Sequence, residues 1–168
     1  MGLNKNEIFY LFKSLNSGRQ SFNKMNKKQK LPNPHILSFY AEEAEKCMKS
    51  KAYFASCVML ASLLEYVFLV AYESLPVSAS KNKASKRPDL FSLINIAQKE
   101  GWIGKNELNE HVDTIRLARE LVNTDKLVEY FDNNKEPPIF DIETSRALAS
   151  SISNVLKSLK KVLIDAST

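Results

Sequence analysis

The side chains best placed to do chemistry gather around one arginine. In the stretch Leu108 to Val122, Leu108, Val112, Ile115 and Val122 recur at steps of three, four and seven, which is one face of an α-helix. Arg119 falls on that face. A guanidinium there leaves water with the core residues, keeps its charge, and so needs an acceptor. Glu65 is the conspicuous candidate, the lone acid in the apolar run Val58 to Tyr72. Asn123 follows Arg119 by one helical turn, with Thr124 next to it, and Arg116 precedes by one turn. Such a cluster can bind a phosphate or steady developing negative charge. The same Arg119–Glu65 pair could instead be a core ion pair that fixes helix register. No metal set is visible, because His35 and His111 lie far apart and neither has a ligand-like neighbour four residues on. No glycine-rich phosphate loop, serine-hydrolase elbow or cofactor-binding pattern occurs.

The elements that must carry these residues are helices. The chain has 168 residues, 44% hydrophobic and 26% charged, with only four glycines to build turns, which fits one core in long helices. Glu7 to Leu15 reads as a short apolar helix, followed by a polar, basic linker that Pro32 and Pro34 end. His35 to Lys49 reads as an amphipathic helix, with Pro34 suited to its first turn and Glu42, Glu43 and Glu45 on its outer side. Lys51 to Ser74 is apolar around nearly its whole circumference, as a helix buried on most sides must be. It is long enough to span a membrane, but Ser56, Ser62 and Glu65 interrupt it, so a core helix is expected and no membrane association. After a Ser/Lys/Pro loop, Asp89 is placed to cap a helix over Leu90 to Glu100 that Gly101 ends. A longer helix is predicted over Lys105 to Phe131, with a break near Asn123 to Asp125. A last helix, Asp141 to Ile164, buries Ile142, Leu148, Ile152, Val155, Leu159 and Val162. The expected fold class is all-α: a bundle of five to six helices over residues 34–168, preceded by an N-terminal helix and basic linker over residues 1–33.

Charge is unevenly placed. Residues 1–30 hold seven Lys/Arg against one acid, a net of +6, and the other 138 residues hold 17 against 18, a net of −1. Arg19, Lys24, Lys27, Lys28 and Lys30 in that arm are candidate nucleic-acid contacts, as are Lys81, Lys83, Lys86 and Arg87 in the later loop. Simple solvation is the plainer role for both clusters, and no aromatic pattern of an RNA-binding sheet accompanies them. The first residues lack the apolar core of a signal peptide. Cys47 and Cys57 have no metal spacing and read as free buried thiols, which points to a reducing, cytoplasmic setting.

Three segments carry a family resemblance: AYFASCVMLASLLEYVFLVAY, DLFSLINIAQKEGWI and HVDTIRLARELVNTDK, followed by a closing helix. From Pro34 to Lys161 this layout resembles the HEPN superfamily (higher eukaryotes and prokaryotes nucleotide-binding). Leu64-Glu65 matches the end of that family's apolar second helix. Leu90, Leu93, Ile94, Gly101 and Ile103 match the helix that follows it. The family signature is an arginine, a polar residue and, after four to six intervening residues, a histidine. Arg119-Glu120 matches its first half, but Thr124, Asp125 and Lys126 stand where the histidine belongs. The resemblance implies a dimeric protein of a defence or toxin–antitoxin system, related to metal-independent RNases in which the histidine moves a proton and the arginine steadies the phosphate. Without that histidine the expected product is a catalytically degenerate module for binding or dimerisation. RNA, a nucleotide or a protein partner would be its ligand. The alternatives are an RNase with an altered site built from Arg119, Glu65, Asn123 and Thr124, and an unrelated helical adaptor that uses Phe9, Phe12 and Phe22.

Overall fold

The computed structural model describes residues 32–75, 88–104, 106–133 and 139–165. Among these, six α-helices and one 3-10 turn occur and no strand, as an all-α bundle requires. The helices are α1 (Pro34–Lys49), α2 (Tyr53–Ser74), α3 (Leu90–Lys99), α4 (Val112–Glu120), α5 (Thr124–Asn133) and α6 (Ile142–Asp165), with the 3-10 turn Asn109–His111 leading into α4.

Local signals set the boundaries. Pro34 opens α1, where its missing N–H is no loss, and the Asn33 side chain caps the helix by accepting from the His35 N–H at 2.9 Å. Asp89 does the same for α3, accepting from the Ser92 N–H at 2.8 Å. Helix α3 ends in a Schellman turn. Gly101 takes φ +71°, the Trp102 N–H reaches the Ala97 carbonyl at 2.8 Å, and the Gly101 N–H reaches that of Gln98 at 3.3 Å. The α1–α2 connection repeats this pattern with a lysine in the glycine position. Lys51 has φ +61°, and Ala52 and Lys51 donate to Cys47 and Met48. A side chain in that conformation costs about 1 kcal/mol that glycine avoids. Lys51→Gly is therefore expected to raise stability by up to about 1 kcal/mol, read from the midpoint of urea unfolding. An unchanged or lower midpoint would show that the turn carries no such strain.

Helix α2 is the axis of the bundle. Of its 22 residues, Leu60, Leu63, Leu64, Val67 and Phe68 are among those fully buried, and α1, α3, α4 and α6 pack around it. By length and composition α2 could cross a membrane, and 56% of its most apolar 18-residue stretch is buried inside the bundle. Small residues let α6 come close. Ser145 of α6 meets Cys57 of α2 at 3.6 Å and donates to the Tyr53 carbonyl at 3.4 Å. Burial pushes the Cys57 thiol above its ordinary pKa against the opposing bond to Ser145. Both cysteines are free as expected, although Cys47 is only half-buried. The expected stripe of α6 is in the core at Leu148, Ile152, Val155 and Leu159, whereas Ile142 and Val162 are half-buried at its ends.

The helix expected over Lys105 to Phe131, with a break near Asn123 to Asp125, is divided close to that point, between Glu120 and Thr124, and it also starts later than expected. After the Schellman turn, Trp102, Ile103 and Leu108 bury themselves in irregular backbone, so the helix starts only at Val112. It stops at Glu120, where the Asn123 N–H turns back to the Glu120 carbonyl at 2.9 Å. The Asn123 side chain then caps α5 by accepting from the Asp125 N–H at 2.9 Å. Asparagine favours such a cap over a helix interior because its side chain competes for the backbone. One consequence is that Val122, expected on the buried face, is exposed. The expected N-terminal helix Glu7 to Leu15 and its linker lie outside the described residues.

Candidate functional site

Helices α2, α3 and α4 enclose an open groove of about 460 Å³, within the size range of small-ligand sites. Leu90, Ile94, Val112 and Ile115 form its apolar lining, joined by the half-exposed Phe91. Five charged residues complete it: Glu65 from α2, Asp89 at the start of α3, and Arg116, Arg119 and Glu120 from α4. Their placement follows from the helices. Arg116, Arg119 and Glu120 are three and four residues apart and share one face of α4, beside the Val112 and Ile115 side chains that seat α4 on the core.

Arg119 and Glu65 meet as their types require. Arg119 Nη2 donates to Glu65 Oε2 at 2.6 Å, and Arg119 Nη1 donates to Ser62 Oγ at 3.3 Å. Ser62 lies one turn before Glu65 on α2 and donates its own proton to the Val58 carbonyl at 2.9 Å. The pair is not a sealed core pair, which corrects the expectation of burial. Its side chains remain 37% and 25% exposed for Arg119 and Glu65, because Arg119 reaches its acceptors from the last turn of α4, at the groove, and not from inside the bundle. Two of the five guanidinium N–H groups are committed to Ser62 and Glu65. Arg116 lies beside Asp113 at 3.3 Å and Glu120 at 3.7 Å, both more exposed contacts.

The groove therefore holds two arginines against three carboxylates. The Ser92 backbone N–H bonded to Asp89 holds that carboxyl below its usual range, so it stays ionised. By net charge the groove is slightly acidic, so an anion would be held there by locally oriented donors and not by an overall positive field. What it offers is oriented donors on one side, carboxylate acceptors on another, and an apolar floor between them. No histidine, cysteine, lysine or tyrosine is among its lining residues.

Of the sequence-derived site residues, the structure brings Arg119 and Glu65 together and leaves Asn123 and Thr124 outside the groove lining. Both are exposed, and Asn123 caps α5 instead of approaching Arg119. The basic candidates Arg19, Lys24, Lys27, Lys28, Lys30, Lys81, Lys83, Lys86 and Arg87 lie outside the described residues. Sequence reasoning treated Ser62 only as an interruption of an apolar run. Its spacing of three from Glu65 was the available signal that both face one neighbour. Among the described residues no group of His, Cys, Asp and Glu is arranged to hold a metal. No family model matches the chain, and no curated protein or solved structure is significantly similar to it.

Proposed function

We propose that this is a HEPN-like binding module whose α2–α3–α4 groove takes one nucleotide unit of an RNA. The observation that carries this reading is the position of Arg119. It is held by Ser62 and Glu65 with part of its fork unspent, at a solvent-open groove with Arg116 one turn away. A fixed guanidinium is a good phosphate partner because its orientation costs no further side-chain entropy on binding. The apolar floor and Phe91 suit a base, and ionised carboxylates accept hydrogen bonds from ribose hydroxyls, which DNA lacks in part. A binding role without catalysis fits a groove whose lining has no histidine to move a proton. The resemblance to HEPN proteins extends the proposal to a place in a defence or toxin–antitoxin pair, with dimerisation or a protein partner.

The test is a titration of the full chain with a short mixed-sequence labelled RNA in EDTA. Binding is expected to favour RNA over DNA of the same sequence and to weaken with salt. An Arg116→Ala/Arg119→Ala chain should bind more weakly and lose about 0.7 from the magnitude of the log–log salt slope for each phosphate contact removed. Equal affinity in the variant would remove the groove from the account. Cleavage by the wild-type chain that the variant lacks would replace the binding module with an RNase of altered site.

A further inference from the structure

Helix α5 is an oddity in a bundle. None of its ten residues is buried. Yet it is amphipathic: Leu127, Val128, Tyr130 and Phe131 share one side, and Val128 and Phe131 are 56% and 47% exposed. The opposite side carries Asp125, Lys126, Glu129 and Asp132, a net of −2, with Lys126 already paired to Glu129 at 2.7 Å. Isolated helices shorter than about 12–15 residues are marginal in water, and their stability comes from packing an apolar face. A ten-residue helix with its apolar face uncovered calls for an occupant.

The chain supplies one. Ile8, Leu11, Phe12 and Leu15 fall at i, i+3, i+4 and i+7, an apolar stripe of helical period. Lys5, Glu7 and Lys13 accompany that stripe, a net of +1 over residues 5–15 against the −2 of the polar side of α5. Residues 16–31 stand between the stripe and Pro32, and at about 3.3 Å per residue they reach roughly 50 Å. A domain of this size is roughly 35–40 Å across, so the stripe can reach any face of it. A second copy is the weaker occupant, because pairing α5 with α5 sets like-charged acidic borders side by side.

We propose that residues 7–15 dock on the apolar face of α5 in the same chain, with Lys5 and Lys13 toward Asp125 and Asp132. This inference is independent of the groove's ligand. It makes the N-terminal segment a cover for α5 and leaves the lysines from Lys24 to Lys30 for other contacts.

Hydrogen–deuterium exchange on the full chain tests it. Amides of residues 8–15 are expected to exchange at least tenfold more slowly than an unprotected chain. A Val128→Asp/Phe131→Asp chain should lose that protection while α2 keeps its own, which certifies the fold. Reciprocally, Leu11→Asp/Leu15→Asp should speed exchange in residues 124–133. Unprotected residues 8–15 in the wild-type chain would overturn the proposal, as would protection that either pair of substitutions leaves intact. Protection of α5 that rises with protein concentration and survives Leu11→Asp/Leu15→Asp would assign the face to a second copy.

Discussion

Phe68→Ala is expected to destabilise the protein by about 3–5 kcal/mol, the range for truncating a large aromatic in a closed core. Phe68 is the largest of the fully buried side chains and sits on α2, which every neighbouring helix of the core uses as its support. The loss combines transfer of the ring from water with a cavity that rigid helices cannot collapse to fill. For a chain of this length, 1 kcal/mol corresponds to about 3 °C, so the thermal midpoint should fall by roughly 10–15 °C. Phe91→Ala, at the half-exposed edge of the groove, should move the midpoint little, since surface truncations usually stay within about 0.5 kcal/mol. Equal effects of the two substitutions would mean that α2 is not the axis of the core.

Arg119→Ala should divide differently between stability and binding. The pair with Glu65 is short but part-exposed, and the value of such pairs falls between that of surface pairs, at most about 1 kcal/mol, and that of sealed ones. A stability loss of about 1 kcal/mol is expected in urea unfolding. RNA affinity should fall by about tenfold to a hundredfold, because a charge-assisted contact contributes about 1.5–3 kcal/mol. Arg119→Lys should recover part of the affinity, since it keeps the charge and loses the planar fork that spans Ser62 and Glu65. A stability loss of about 3–5 kcal/mol with unchanged affinity would make Arg119 a pin between α2 and α4 and nothing more.

The fold class was legible because its signals are local. Asp89, Gly101, Pro34 and the all-round apolarity of α2 each act within a few residues, through capping, backbone freedom or burial. The meeting of Arg119 with Glu65, 54 positions apart, was legible for a different reason: Glu65 was the lone charge in an apolar run, and Arg119 fell on the apolar face of its helix. What escaped was set by tertiary placement. The break near Asn123 was expected, but the apolar spacing from Leu108 on suggested a helix from Lys105, and burial of Trp102 and Ile103 delayed its start to Val112. At the far end Asn123 spends its side chain on a cap. Whether Arg119 lay inside the core or beside an opening depended on how α3 leans on α4, which no spacing in either helix encodes. The contributions of Ser62 and Asp89 were hidden similarly, since a serine in an apolar run and a capping aspartate both have ordinary local explanations.

Only Leu121, Val122 and Asn123 separate the helix that bears the two arginines from the helix that presents an uncovered apolar face. Leu121 is buried and anchors the end of α4, while Val122 and Asn123 are exposed, so the joint has one fixed side and one free side. A groove ligand held by Arg119, as proposed, would fix the last turn of α4, and the proposed cover on α5 would fix the segment just beyond it. The two proposals, argued separately, would then meet in one thermodynamic cycle. Any factor by which the cover changes affinity in the groove is the factor by which a groove ligand changes the hold of the cover.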